Sequence, residues 1–146
     1  MIRPAESSQL DQVRAIFREY AEWVGDAICF QAFESELAAL PGRYKPLLLD
    51  WRQDQIAACA GLREFAPGIG EMKRLYVRPQ FRGLGLGRAL TQRIIEESRA
   101  AGYQLLRLDT LPKMQQAFAL YRSLGFREIP RYGDNPAGAI CFELTL

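Results

Sequence analysis

Between Lys73 and Arg88 the chain carries Lys73, Arg74, Arg78, Arg82 and Arg88 with no acid among them. The last of these frame Arg82-Gly83-Leu84-Gly85-Leu86-Gly87, which comes after a strand-like run from Ile69 to Val77. Apolar positions Leu86, Leu90, Ile94 and Ala101 then recur at helical spacing. In a strand, glycine loop and helix of this kind, backbone N–H groups and a helix N-terminus converge on an anion. Glycines admit it closely because they lack a Cβ. The expected chemistry is recognition of a phosphate compound. A bland alternative, a tight turn beside a solvated basic face, explains each feature separately but not their coincidence.

The residues after the last glycine narrow the type of phosphate compound. A nucleotide-hydrolysing P-loop needs Gly-Lys-Ser/Thr, whereas Gly87 precedes Arg88-Ala89. A dinucleotide fingerprint fits in part, with Gly83, Gly85 and an acid at Asp109, but Arg88 occupies the place of its third glycine. The loop also comes late, after an apparent antiparallel meander, so a dinucleotide binder is the weaker alternative. The chain has no histidine, which excludes Ser-His-Asp and Cys-His hydrolases and HExxH zinc sites. Cys29, Cys59 and Cys141 are scattered in apolar surroundings without a CxxC pair. They read as buried thiols of a reducing, cytoplasmic protein, and no metal is expected.

Arg82-x-x-Gly85-x-Gly87 resembles the R/Q-x-x-G-x-G/A motif of the GNAT superfamily of N-acetyltransferases. The likeness continues in Glu71 to Pro79, similar to the family's fourth strand, and in Leu105 to Asp109, similar to its fifth. Ala117-x-x-x-Tyr121-x-x-Leu124-Gly125-Phe126 resembles its closing helix and strand. The resemblance implies acetyl-coenzyme A as cosubstrate in a splayed gap between those two strands. Its pyrophosphate would lie on the N–H groups of Arg82, Gly83, Leu84, Gly85, Leu86, Gly87 and Arg88. Its pantetheine arm would pair with the backbone of Leu75, Tyr76 and Val77 like an added strand, with an N–H polarising the thioester carbonyl. Met114 and Ala117 would complete the cofactor wall. Met114 stands where the family often has an asparagine, so one polar contact is replaced by an apolar or weak acceptor one.

The same resemblance implies direct transfer to a primary amine. An amine of pKa about 8 to 10.4 is mostly protonated at pH 7, so a base or a water chain must take a proton. Glu71 is the first candidate and Glu64 the second. Tyr121 matches the tyrosine that protonates the departing thiolate. The acceptor, a small molecule or a peptide, is expected on the side of the first two helices. There Glu34, Glu36, Glu64 and Asp134 would attract a cationic amine, and Trp23, Phe30, Phe33 or Tyr132 would pack on it. A non-catalytic acyl-coenzyme A sensor would need Arg82 to Gly87 but neither Tyr121 nor Glu71. Homodimerisation is also implied, although no feature fixes an interface.

Positioning these residues requires one compact domain, and 146 residues, 49% of them hydrophobic and 25% charged, supply one spanning 1–146. A net charge of +2 is too near balance for a nucleic-acid binder, and no run is apolar enough to enter a membrane. The N-terminus lacks the pattern of a secretory signal. A short extended start at Ile2 and Arg3 leads to a helix capped at Ser8-Gln9-Leu10-Asp11 and ended by Gly25. A second helix is expected from Phe33 to Leu40, a hairpin from Leu47 to Arg63, and the third strand from Ile69. The loop and its helix come next, then a strand at Leu105, a helix from Pro112 to Leu124, and strands from Phe126 and Ile140. The order βααβββαβαββ implies a mixed α/β (α+β), GNAT-like fold: a mostly antiparallel central sheet flanked by helices.

Overall fold

The computed structural model describes residues 1–25 and 30–146, with the side chains of residues 30 and 31 excluded. Cys29 and the Phe30 side chain, expected as a thiol and an acceptor contact, lie outside the described residues.

Seven strands form one sheet in the order β1-β2-β3-β4-β5-β7-β6. They are β1 (Ile2–Pro4), β2 (Leu47–Arg52), β3 (Gln55–Ala66), β4 (Ile69–Val77), β5 (Leu105–Thr110), β6 (Arg127–Ile129) and β7 (Ile140–Thr145). Only β4 and β5 run parallel. The repeated parallel units of a dinucleotide domain are therefore absent from the described chain. Four helices, α1 (Leu10–Val24), α2 (Phe30–Ala39), α3 (Leu86–Ala100) and α4 (Gln115–Ser123), complete the expected order.

Strand residues alternate between two cores because both sheet faces are covered. Leu48, Ala58, Ala60 and Leu62 join Leu90 and Ile94 of α3 and Tyr121 of α4 on one face. Leu47, Leu49 and Cys59 join Ile16 and Phe17 of α1 and Leu37 of α2 on the other. The first helix starts differently from the sequence expectation: a 3-10 turn at Ser7–Gln9 precedes it, with Glu6 and Gln9 capping each other. Ala101 does not extend the buried stripe of α3 either, since it is the exposed C-cap residue.

Two irregularities place the site. Strand β4 gains a residue relative to β3, Cys59 facing Tyr76 but Gly61 facing Lys73, so β4 bulges at Arg74 and Leu75. Arg74 carries the bulge at φ 62°, a region costly for a side chain with a Cβ. Beyond the bulge, β4 and β5 have already parted: their pairing covers only Ile69–Met72 against Leu105–Leu108. From Lys73 onward the β5-facing edge of β4 has no strand partner.

Candidate active site

The parting strands open a cavity on each face of the sheet, and Met114 lines both. On the α3 and α4 side lies a groove of about 710 Å³, within the size range of small-ligand sites. Leu75, Tyr76 and Val77 form one wall, Ala117 and Tyr121 the other, and Gly83, Gly85 and Gly87 its end. Gly83 and Gly85 have φ of 81° and 79°, and a Cβ there would meet nothing within 4 Å. Their glycine requirement is conformational, and the space above them is open to a ligand. Gly85 is the N-cap of α3, so the free N–H groups of the first turn lie at the groove's end. The side chain of Leu84 is 65% exposed and does not line the groove.

The basic cluster read from the sequence is divided by the fold. Arg78 is tied to Glu19 of α1 at 2.7 Å and donates to the Ile56 carbonyl, joining α1 to the sheet. Lys73 and Arg74 line the other cavity. Arg82 and Arg88 remain at the groove, joined by Lys113, which the sequence reading missed because it lies on a separate 3-10 turn. None of these three forms an ion pair among the described residues. Arg82 donates to the Val77 carbonyl at 3.0 Å and lies over the rings of Trp23 and Tyr76. Arg88 donates to Ser123 Oγ at 2.7 Å. Lys113 donates to the Trp23 carbonyl and lies 5.1 Å from the Trp23 ring centroid. Uncompensated cations, helix-start donors and open glycines suit an extended anionic cosubstrate such as acetyl-coenzyme A.

Tyr121 is the one fully interior residue of α4, its ring packed on Phe126 and Phe142 at 5.7 and 5.6 Å. Its hydroxyl makes no hydrogen bond to another described residue, and the residue lines the groove. Burial raises the phenol above its ordinary pKa, which keeps it protonated as a donor.

On the α1 and α2 face is a cavity of about 510 Å³. The sequence reading expected acids and aromatics here, and Glu36, Asp134 and Phe33 do line it. Glu34 and Glu64 do not, Trp23 is on the groove side, and Tyr132 lies behind the wall. Four cations, Arg43, Arg63, Lys73 and Arg74, occupy the walls instead. Arg74 forms a two-pronged pair with Glu36 at 2.9 Å and lies over Tyr20 and Phe33. Burial pushes the Glu36 carboxyl up, but the Arg74 guanidinium overrides it and holds the group below the ordinary carboxylate range. Lys73 reaches across the parted strands to Asp109 at 2.7 Å.

Glu71 is buried and lines neither cavity. One carboxylate oxygen takes the Arg63 guanidinium at 3.0 Å and the other takes the Tyr132 hydroxyl at 2.5 Å. The carboxylate that borders the smaller cavity where the strands part is Asp109, weighed in the sequence only as a dinucleotide acid. Its position becomes legible once the pairing of β4 and β5 is known to stop one residue earlier.

The model of the Acetyltransferase (GNAT) family matches residues 10–126. An uncharacterized N-acetyltransferase of Schizosaccharomyces pombe is 39% identical over 133 residues, 87% of this chain and 82% of the relative. The crystal structure of ribosomal-protein-alanine N-acetyltransferase from Brucella melitensis superposes with a TM-score of 0.80 at 26% identity, covering 100% and 99% of the two chains. A putative acetyltransferase from Salmonella typhimurium, solved with its cofactor acetyl-CoA, shares the fold at a TM-score of 0.79 and 22% identity, covering 99% and 92%.

Proposed function

The chain belongs to the GNAT family of acetyltransferases and is an N-acetyltransferase. On that premise we propose that it moves an acetyl group from acetyl-coenzyme A in the groove directly to a primary amine in the cavity across the sheet. The observation that carries this reading is the shared wall: the two cavities meet at Met114, where β4 and β5 have parted. When bound, the cosubstrate supplies a thioester whose C–S bond is exchanged for an amide C–N bond.

The protein's own groups divide the work. The first turn of α3 and the side chains of Arg82, Arg88 and Lys113 hold the anionic end. The unpaired β4 edge at Leu75 and Val77 holds the arm and offers an N–H to the carbonyl oxygen as negative charge grows there. Tyr121 donates its proton to the departing sulfur. Asp109 has one oxygen on Lys73, and the other, without a hydrogen bond among the described residues, receives the ammonium proton. Glu71, with both oxygens engaged, acts from behind the wall by fixing Arg63 and Tyr132. The unpaired, buried thiols of Cys59 and Cys141 fit a cytoplasmic setting, and burial pushes the Cys59 thiol up to about 12.

A non-catalytic acyl-coenzyme A sensor would use the groove but would need neither the second cavity nor an unengaged Tyr121 hydroxyl. A thermal-shift series with acetyl-coenzyme A, coenzyme A, NADH and NADPH tests the cosubstrate. Stabilisation by both coenzyme A species and by neither dinucleotide is the expected result. Stabilisation by a dinucleotide alone would overturn the proposal.

A further inference from the structure

The acceptor-side cavity is organised as a dipole. Three of its cations are matched: Arg63 by Glu71, Lys73 by Asp109 and Arg74 by Glu36. Arg43 and Asp134 line it without an ion pair among the described residues. They sit at opposite ends. Arg43 Nη2 donates to the carbonyl of Glu64 at 2.8 Å, which brings its guanidinium beside Arg63 on β3. Asp134 precedes Asn135, whose side chain reaches Cys141 Sγ at 3.6 Å, and Cys141 faces Asp109 in the β5–β7 register. Two guanidiniums thus mark the β3 end and two carboxylates the β5 end. With β4 between them and β5 already parted from it at Asp109, the ends are at least two interstrand spacings apart, on the order of 10 Å or more between backbones.

We infer that the acceptor is a small amine that also carries a carboxylate, an aminocarboxylate rather than a plain amine or a polycation. This rests on the acetyl transfer proposed above. The guanidinium end receives the carboxylate, for which a planar donor pair is the fitting partner. The carboxylate end receives the ammonium beside Met114, where the groove adjoins. Among the described residues, a polycationic acceptor would meet four cations and one carboxylate outside an ion pair. In the transfer the ammonium loses two protons: one passes through Asp109 to solvent and one finishes on the coenzyme A thiol. The acetyl carbon exchanges sulfur for nitrogen.

The test measures free thiol release from acetyl-coenzyme A with glycine, β-alanine, 4-aminobutyrate and 5-aminovalerate, each beside the n-alkylamine of matching length. The inference expects at least one aminocarboxylate to exceed its alkylamine by about tenfold or more in kcat/KM, one carboxylate–guanidinium interaction's worth. Arg43→Glu, at an exposed position, should bring that ratio below about threefold while acetyl-coenzyme A still raises the melting temperature. Equal or better use of the alkylamines would overturn it. So would no turnover with any compound when acetyl-coenzyme A does stabilise the protein. Absence of that stabilisation would bring down the proposed function, and this inference with it.

Discussion

The two cavities flank one stretch of β4 but are built by different means. The groove is made largely of backbone: a strand edge without a partner, glycines in the left-handed region and the start of α3. Its cations form no ion pair among the described residues. The acceptor-side cavity is made of long side chains locked in pairs across the fold, Arg74 with Glu36 and Lys73 with Asp109. A backbone site can hold the same ligand whatever side chains surround it, whereas a site made of paired side chains is specific to its pairs and costly to disturb.

The contrast is most sharply broken at Arg74. Arg74→Ala leaves the half-buried Glu36 carboxylate without its cation, only the Tyr44 hydroxyl still donating to it, and should lower unfolding free energy by about 3 kcal/mol in a denaturant titration. An unchanged midpoint would mean that the pair is ornamental. At the groove, Tyr121→Phe should reduce kcat about 100-fold and leave the acetyl-coenzyme A dissociation constant within about threefold, measured by thiol release and calorimetry. Asp109→Asn should cost more turnover than Glu71→Gln, and the reverse order would return the proton to Glu71. Arg82→Ala should weaken acetyl-coenzyme A about tenfold, about 1.4 kcal/mol, and flatten the salt dependence of binding, because its charge is uncompensated.

The smallest effect is acid lability. Glu143 is pushed up by burial but pulled below the ordinary carboxylate value by Arg107 and Arg127, as Glu36 is by Arg74. Carboxyls held low when folded contribute stability above their unfolded pKa and lose it as pH falls through the folded one. Thermal stability should therefore hold steady from neutrality to the ordinary carboxylate value of 4.5 and decline below it. A decline beginning near pH 6 would remove these pairs as its cause.

Legibility in the sequence divides along the same line. The order of elements, the glycine loop and Tyr121 rest on local signals, a period, a turn residue or a fixed spacing along one helix. The destinations of Lys73, Arg74 and Arg78 were not legible. Within six residues of one another in sequence, they pair with Asp109, Glu36 and Glu19, partners 36, 38 and 59 residues away. Lys113 and Trp23 meet over the groove only because α1 and the turn before α4 converge. The bulge at Arg74 has no composition cue, since a left-handed arginine is unusual and is held there by its tertiary partners.

The bulge also bears on how such a protein can change over generations. Leu75 and Val77 point into one compartment and Lys73, two residues before Leu75, into the other because the extra residue of the bulge shifts the alternation of the strand between them. Under the proposed function, substitutions on the Lys73 side would alter which amine is admitted while the groove on the other side stays intact. Gain or loss of a single residue within β4 would move every subsequent side chain through the sheet and exchange the two compartments' linings. A change in the length of this strand therefore disturbs both compartments at once, whereas a substitution at a single wall position disturbs one.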